Sequence, residues 1–542
     1  MSIRIARREF LKRALRDLGA MGVGATIAEA VVGKLLSQAF AQTPLPPNPS
    51  GYYVHMTMPG GPPRWLFDLP LTPQGQTSSN FVAGGFGTLL EKTTNGLRPF
   101  YAATKQMVGG KEIHLPPVWT MSTSGQRFTD LLPNTLFIRG MDMEINSHEL
   151  SNGRQIAPII GGYSLNGMVA ERSNRPMPAV IESGSGAAKS FKSKSGLATS
   201  SLDYAEGGLI NPISTLLTPF IDFRGQRVVH SQEAQALQDQ ALAQFELYAN
   251  SRGIASAPLK KMYDNAISLV ESDIFKLSER WPATIQRYRA IINEALHPKK
   301  DALPGLFDIK GATSKSGPFK YAIGADSYVQ LGDLRDMITA ETMAPRMAEN
   351  FAIAEILLDP VTAAMTLSFG GLRGLESGQG VISIGHDQHA IGSVVSTLAT
   401  TLFYRAFIAG LTEFVKDLKS RGLFERTVIH ISSEFNRTPR AGGEGSDHGP
   451  MGSNATLISG MLAAGGVIGN IKTASYNSTY PGTFGVAAPY SLDGFNRPIQ
   501  VNDVARTISA MLGTDDIVTS GRSLLAPTGA AWHIKKPESK NV

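Results

Sequence analysis

Residues 427–449 read TVIHISSEFNRTPRAGGEGSDHG. The run Thr427-Val428-Ile429-His430-Ile431 is short, apolar and rich in β-branched residues, which predicts a buried strand. Residues 432–449 are polar and turn-rich, with Glu434, Arg437, Arg440, Asp447 and His448 set among glycines and small residues. Such a segment after a core strand is either a solvated loop or the rim of a site. The chain holds only 10 histidines in 542 residues, so the company each keeps is informative.

Outward from this stretch, strands and helices alternate. Tyr52 to Met58 reads as a first strand running into the turn Pro59-Gly60-Gly61-Pro62-Pro63. Thr135 to Gly140 reads as a second, with the polar exit MDMEINSHELSNGR (141–154). Pro178 to Glu182 reads as a third. Gly380 to Ile384 reads as another and leads into Gly385-His386-Asp387-Gln388-His389. Ala455 to Gly460 reads as a strand after the opening stretch. Helical spacing predicts an insertion over 231–296 and helices over 333–358 and 392–420, the last ending at Arg421-Gly422. Asn502-Asp503 caps a helix running through Leu512. Alternation of this kind predicts a largely parallel sheet covered on both faces. In such sheets ligands bind outside the carboxyl ends of the strands. The polar clusters 141–154, 385–389 and 432–449 all sit at predicted carboxyl ends, where they can share one rim.

Composition narrows the chemistry. Apolar content of 42% and charged content of 18% are globular values. The first 41 residues hold seven basic and three acidic side chains, so they carry +4 of the formal +6. The rest is near neutral and lacks the basic footprint of a nucleic-acid binder. Cysteine is absent, which excludes thiolate zinc sites, iron–sulfur clusters, disulfides and a Cys nucleophile. Any metal must therefore be held by His, Asp, Glu, Asn or hydroxyl groups.

The N-terminus carries Arg7-Arg8-Glu9-Phe10-Leu11-Lys12, a mildly apolar Gly/Ala-rich stretch, and Ala39-Phe40-Ala41. The first element resembles the twin-arginine export motif, and the last fits an A-x-A cleavage site. The expected organisation is a twin-arginine signal peptide over 1–41, a Pro-rich spacer over 42–51, a main domain over 52–530 and a polar tail over 531–542. The expected location is periplasmic or otherwise exported, with the twin-arginine export machinery as a partner. No segment outside the signal approaches ~18 uninterrupted apolar residues, so no membrane span is expected in the mature chain.

Asp387 and His389 are two residues apart, and Asp447-His448-Gly449 offers a carboxylate and an imidazole beside a flexible glycine. Oxygen and nitrogen ligands of this kind can hold a divalent ion suited to hydrolysis. Arg437 or Arg440 can fork onto a phosphate or sulfate. Glu434 can serve as a ligand or as a general base; the bland alternative is a Glu434–Arg437 salt bridge that fixes the loop. His55, His114, His230, His297, His430 and His533 keep no such company and read as surface or core residues.

Ser433-Glu434-Phe435-Asn436-Arg437-Thr438-Pro439-Arg440, followed by Asp447-His448-Gly449, resembles the S-E-F-G-R-T-P-R … D-H-G signature of the family catalogued as domain of unknown function 1501. Gly385-His386-Asp387-Gln388-His389 resembles its G-W-D-T-H, and Asn146-Ser147-His148 its N-x-H. Gln500 through Gly513 is similar to its terminal helix. That family resembles the alkaline phosphatase superfamily. The resemblance implies a three-layer α/β sandwich with a mostly parallel central sheet, a helical insertion and divalent metal at the strand ends. It places Asp387, His389 and His448 as metal ligands, with Asp447 and Glu434 next and His148 and Asp68 as further candidates. It implies zinc first among metals, with manganese, calcium and magnesium open, and a small anionic ester as substrate. The chain departs from the family pattern at Pro63 and Arg64, where Ser and His are expected, and at Phe435, where the superfamily carries a His ligand. The competing expectation is a binding or envelope-assembly protein that keeps the fold without the chemistry.

Overall fold

Every residue of Tyr52–Thr57 (β1) is buried, the pattern of a strand covered on both faces. The computed structural model describes residues 51–70, 104–158, 346–370, 391–439, 452–473, 485–515 and 520–538 in long runs, with shorter pieces that include 162–175, 177–182, 274–297, 385–389 and 446–449. The expected signal peptide, nearly all of the expected spacer, Arg440, most of 231–273 and the 333–345 portion of a predicted helix lie outside the described residues.

After β1 come Thr135–Asp142 (β2), helices His148–Ile156 (α1) and Leu165–Arg172 (α2), and strands Val180–Glu182 (β3) and Ser200–Leu202 (β4). Helices Ile274–Leu296 (α3) and Met347–Leu357 (α4) precede Ala364–Ser368 (β5) and the pair Gly374–Ser377 (β6) and Gly380–Ser383 (β7). Next in the chain are Ser393–Ser420 (α5), Thr427–Ser432 (β8), Asn436–Pro439 (β9), Ser446–Gly449 (β10), Ser453–Ile458 (β11), Gly466–Ile468 (β12), Ile499–Gln500 (β13) and Val501–Met511 (α6). The chain closes with Leu525–Thr528 (β14) and Ala531–Ile534 (β15).

One nine-stranded sheet organises these elements, in the order β4-β3-β5-β1-β8-β11-β2-β12 with β13 beside β2. All pairings are parallel except those of β11, which runs against both β8 and β2. The exits of β1, β2, β5 and β8 therefore point to one edge. Helices cover both faces. On one face His55 is in register with Thr366 and His430, and Asn166 of α2 donates to Thr366 at 2.5 Å. On the other, Phe137 of β2 packs edge-on to Trp119, which stacks on Phe67, which stacks on Tyr404 of α5. The mixed α/β class with a mostly parallel sheet is as expected.

Three local expectations need correction. The strand at 380–384 does not join the sheet: β7 pairs antiparallel with β6 in a separate ribbon. The place beside β1 belongs to β5, whose five residues are all buried. The last strand of the 455–460 region starts at Ser453 and is antiparallel, because a single short excursion after β8 turns the chain back beside it. The segment 531–534 is a strand, not the start of a tail. Its Trp532 N–H donates to the Met461 carbonyl at 2.8 Å, and the Trp532 carbonyl accepts from Ala463 N–H at 3.0 Å.

Candidate metal centre

The turn that leaves β1 sets the floor of the sheet edge. Gly60 and Gly61 have φ of +97° and +60°, and neither has room for a side chain. A Cβ on Gly60 would lie 2.7 Å from His386 Cβ, and one on Gly61 would lie 2.7 Å from the Phe435 ring. Glycine is required here on both counts. Both peptide N–H groups of this pair donate to Glu434, Gly60 to Oε1 at 2.6 Å and Gly61 to Oε2 at 3.2 Å. Both carbonyls accept from Arg437, Gly61 from Nε at 2.9 Å and Gly60 from Nη2 at 2.7 Å. The glycine pair is thus gripped on both sides by the segment after β8.

Four ligand-type side chains converge above it. His148 at the start of α1, Asp387 and His389 after the β6–β7 ribbon, and His448 on β10 offer ligand atoms that all lie within 4.8 Å of one another. His389 Nε2 is 2.9 Å from His448 Nε2 and 3.2 Å from Asp387 Oδ1, and His148 Nε2 is 3.5 Å from Asp387 Oδ2. Ligand atoms around a tetrahedral ion at bond lengths of about 2.0–2.2 Å stand roughly 3.3–3.6 Å apart, so the two separations to Asp387 match a single small cation and the His389–His448 pair would open slightly to admit it. His148 Nε2 is buried and, among the described residues, has no hydrogen-bond partner, as expected of an atom that faces an ion. The donor set and the geometry fit a metal.

The surrounding groups prepare the ligands. Arg437, with no side-chain exposure, ion-pairs with Asp387, whose side chain is 50% exposed. Burial works to raise the Asp387 carboxyl, but Arg437, His148 and His389 prevail and hold it below its usual range. Burial, then the charges of Arg437, His148 and His389, push the His448 imidazole down to about 4, against the pull of Asp387. A neutral imidazole and an ionised carboxylate are the forms that ligate metal. Phe435, fully buried, packs its ring 4.1 Å from that of His448 and 4.8 Å from that of His148. It supplies an apolar wall beside both imidazoles.

The other candidates fall elsewhere. Glu434 is 2% exposed and touches His148, with Oε1 3.0 Å from Nδ1. Asp447 is out of the group: strand alternation on β10 turns it away from His448. Asp68 is buried below the site, where it ion-pairs with Arg64 and accepts from Asn454 Nδ2 at 2.7 Å and Thr456 Oγ1 at 2.6 Å. Arg437 is engaged by Asp387, Gly60 and Gly61, so its guanidinium is a clamp and not an open anion fork. Sequence reasoning assigned no role to Asn146, whose Oδ1 lies 2.7 Å from His448 Nδ1; its place in N-x-H beside a candidate ligand was the available signal.

Residues 369–534 match the family model described as Protein of unknown function (DUF1501). The match spans Asp387, His389, Glu434, Arg437 and His448, and leaves His148, Asn146 and the Gly60–Gly61 turn outside it. No curated protein and no solved structure matches the chain. Among the described residues no helix is long and apolar enough to cross a membrane.

Proposed function

We propose that this is an exported, alkaline-phosphatase-like α/β protein whose His148–Asp387–His389–His448 centre holds one divalent ion and hydrolyses phosphate or sulfate esters. The observation that carries the reading is the meeting of three imidazoles and one carboxylate from three distant segments at the carboxyl edge of a mostly parallel sheet. Such a donor set suits a borderline ion, zinc first and manganese next; calcium and magnesium favour oxygen shells. The ion would supply Lewis-acid polarisation of an ester oxygen.

The residues of the chain do the rest. Asp387 and His389, 50% and 42% exposed, leave the outer side of the group open to a substrate from solvent. Water is the nucleophile in this reading. Ser432 and Ser433, the hydroxyls next to Glu434, are wholly buried and bonded to His55 Nε2 at 2.8 Å and to the Phe435 carbonyl at 2.9 Å. Export before cleavage of the signal is supported by Arg7-Arg8 and Ala39-Phe40-Ala41, a route that carries folded, cofactor-loaded chains.

One observation favours a second reading, a binding or envelope-assembly protein without turnover. Asp68 and Glu434, the further carboxylates near the edge, are consumed by Arg64 and by the glycine N–H groups. The experiment is to purify the naturally exported protein beside a His389→Ala/His448→Ala variant and to measure bound metals by mass spectrometry. One ion per chain is expected in the wild type and little in the variant; equal contents would end the metal reading. Turnover of aryl phosphates or sulfates that is absent from the variant supports hydrolysis, and bound metal without turnover supports the second reading.

A further inference from the structure

A neutral imidazole carries one N–H and one lone pair, and only the nitrogen with the lone pair can ligate a metal. A histidine meant to ligate through Nε2 must therefore keep its proton on Nδ1. His148 and His448 each have a hydrogen-bond acceptor at Nδ1: Glu434 Oε1 at 3.0 Å for His148, and Asn146 Oδ1 at 2.7 Å for His448.

The arrangement is crossed. His148 and Asn146 both belong to the exit of β2, and Glu434 and His448 both belong to the excursion after β8. Each segment contributes one ligand and one acceptor, and each acceptor serves the other segment's ligand. Glu434 is itself held by the Gly60 and Gly61 N–H groups, so its carboxylate is fixed before it meets His148.

We propose that Glu434 and Asn146 are positioning residues that lock His148 and His448 in the Nδ1–H tautomer and aim both Nε2 atoms into the centre. The proposal rests on the metal reading for its purpose, but the locking is a property of the metal-free chain. It replaces the roles of ligand and general base that the sequence suggests for Glu434. Partners of this kind beyond the ligands typically alter metal affinity 10–100-fold when removed.

The test uses the full chain labelled with 15N at its 10 histidines and stripped of metal with a chelator. Long-range proton–nitrogen correlation reports which ring nitrogen is protonated, and His148→Phe and His448→Phe variants identify the two signals by their loss. Both rings are expected to carry the proton on Nδ1. Glu434→Gln keeps the shape and one acceptor oxygen but can turn its amide N–H₂ toward His148. It should shift His148 toward the Nε2–H form and weaken zinc binding about 10–100-fold in a chromophoric-chelator competition. Asn146→Asp keeps the acceptor and should hold His448 in the Nδ1–H form with zinc bound at least as tightly as in wild type, whereas Asn146→Leu should free the tautomer and weaken zinc. Unaltered tautomers in Glu434→Gln and Asn146→Leu overturn the proposal, as does an Asn146→Asp variant as impaired as Asn146→Leu. Should Glu434→Gln fail to fold, the exposed Asn146 pair decides alone. A wild type that keeps both Nδ1 protons yet binds no metal refutes the metal reading and leaves the locking intact.

Discussion

Arg437 has no exposed side-chain surface, yet its guanidinium ends on Asp387, half of whose side chain faces water. On the way it also meets the carbonyls of Gly60 and Gly61. A buried cation is tolerated only when its donors are met, and here a planar fork meets several acceptors at once.

Arg437→Lys keeps the charge but loses the fork, because an ammonium cannot reach two carbonyls and a carboxylate in that geometry. Arg437→Lys should be destabilised by about 3 kcal/mol, read from urea unfolding, through buried acceptors left unsatisfied. Metal affinity should fall with it, since Asp387 loses the fork that orients it. A variant as stable as wild type would show that Arg437 does not hold the edge together.

The Arg64–Asp68 pair lies at zero exposure, four residues apart on the turn that leaves β1. Arg64→Met leaves Asp68 charged, buried and short of a partner, and should cost about 3–5 kcal/mol. The double replacement Arg64→Met/Asp68→Leu removes both charges and should recover much of that loss. Metal content should be the same in Asp68→Asn as in wild type, measured by mass spectrometry, because Asp68 is committed to Arg64, Asn454 and Thr456. A loss of metal in Asp68→Asn would return Asp68 to the centre.

That pair marks where the sequence stops being legible. The strands Tyr52–Thr57 and Thr427–Ser432 are readable as largely apolar runs, and the exit of the second leads to His448, whereas Asp387 and His389 are reached through the run 380–384, which pairs in a separate ribbon. The strand Ala364–Ser368 is not readable that way: Ala, Met, Thr, Leu and Ser form no strong pattern, and only its neighbours bury all five. Arg437 reads as an anion fork by residue type, and only the meeting of the Gly60–Gly61 carbonyls with its guanidinium in the fold makes it a clamp. Asp68 reads as a ligand by likeness, although the i,i+4 spacing to Arg64 already offered a local partner. His55 and His430 read as unaccompanied, because side-by-side register between β1 and β8 cannot be deduced from either strand alone.

Gly61→Ala should damage the centre from beneath. The added methyl group meets the Phe435 ring at 2.7 Å, and φ of +60° is unfavourable for any L residue with a side chain. Strain of this kind costs on the order of 1–3 kcal/mol. Displacement of Phe435 moves the wall against which His148 and His448 pack. The expected result is lower stability together with weaker zinc binding. Gly125→Ala, also at positive φ but with nothing within 4 Å of an added Cβ, should lose stability only.

Acid should unfold the protein through its interior histidines. His55 is fully buried, and burial pushes it from 6.5 down to about 3. His430, stacked on it at 4.8 Å, is pushed well below its ordinary value by burial, then by His55 and Arg64. His386 is pushed to about 4 by burial, then by Arg437, against a hydrogen bond to the Pro59 carbonyl. All three are neutral in the folded chain at a pH where the unfolded chain would protonate them. The unfolded state therefore binds more protons once the pH drops below about 6.5, and stability falls as acid is added. The decline approaches about 1.4 kcal/mol per pH unit for each histidine and continues until the folded-state values are reached, near 4 for His386 and near 3 for His55. Above about pH 7 these groups contribute no slope. His55→Gln can still hydrogen-bond to Ser432 and cannot be charged. Its urea midpoint should be lower than wild type at neutral pH but should fall less steeply between about pH 6 and pH 5. An equally steep fall in the variant would place the acid sensitivity outside the β1–β8 pair.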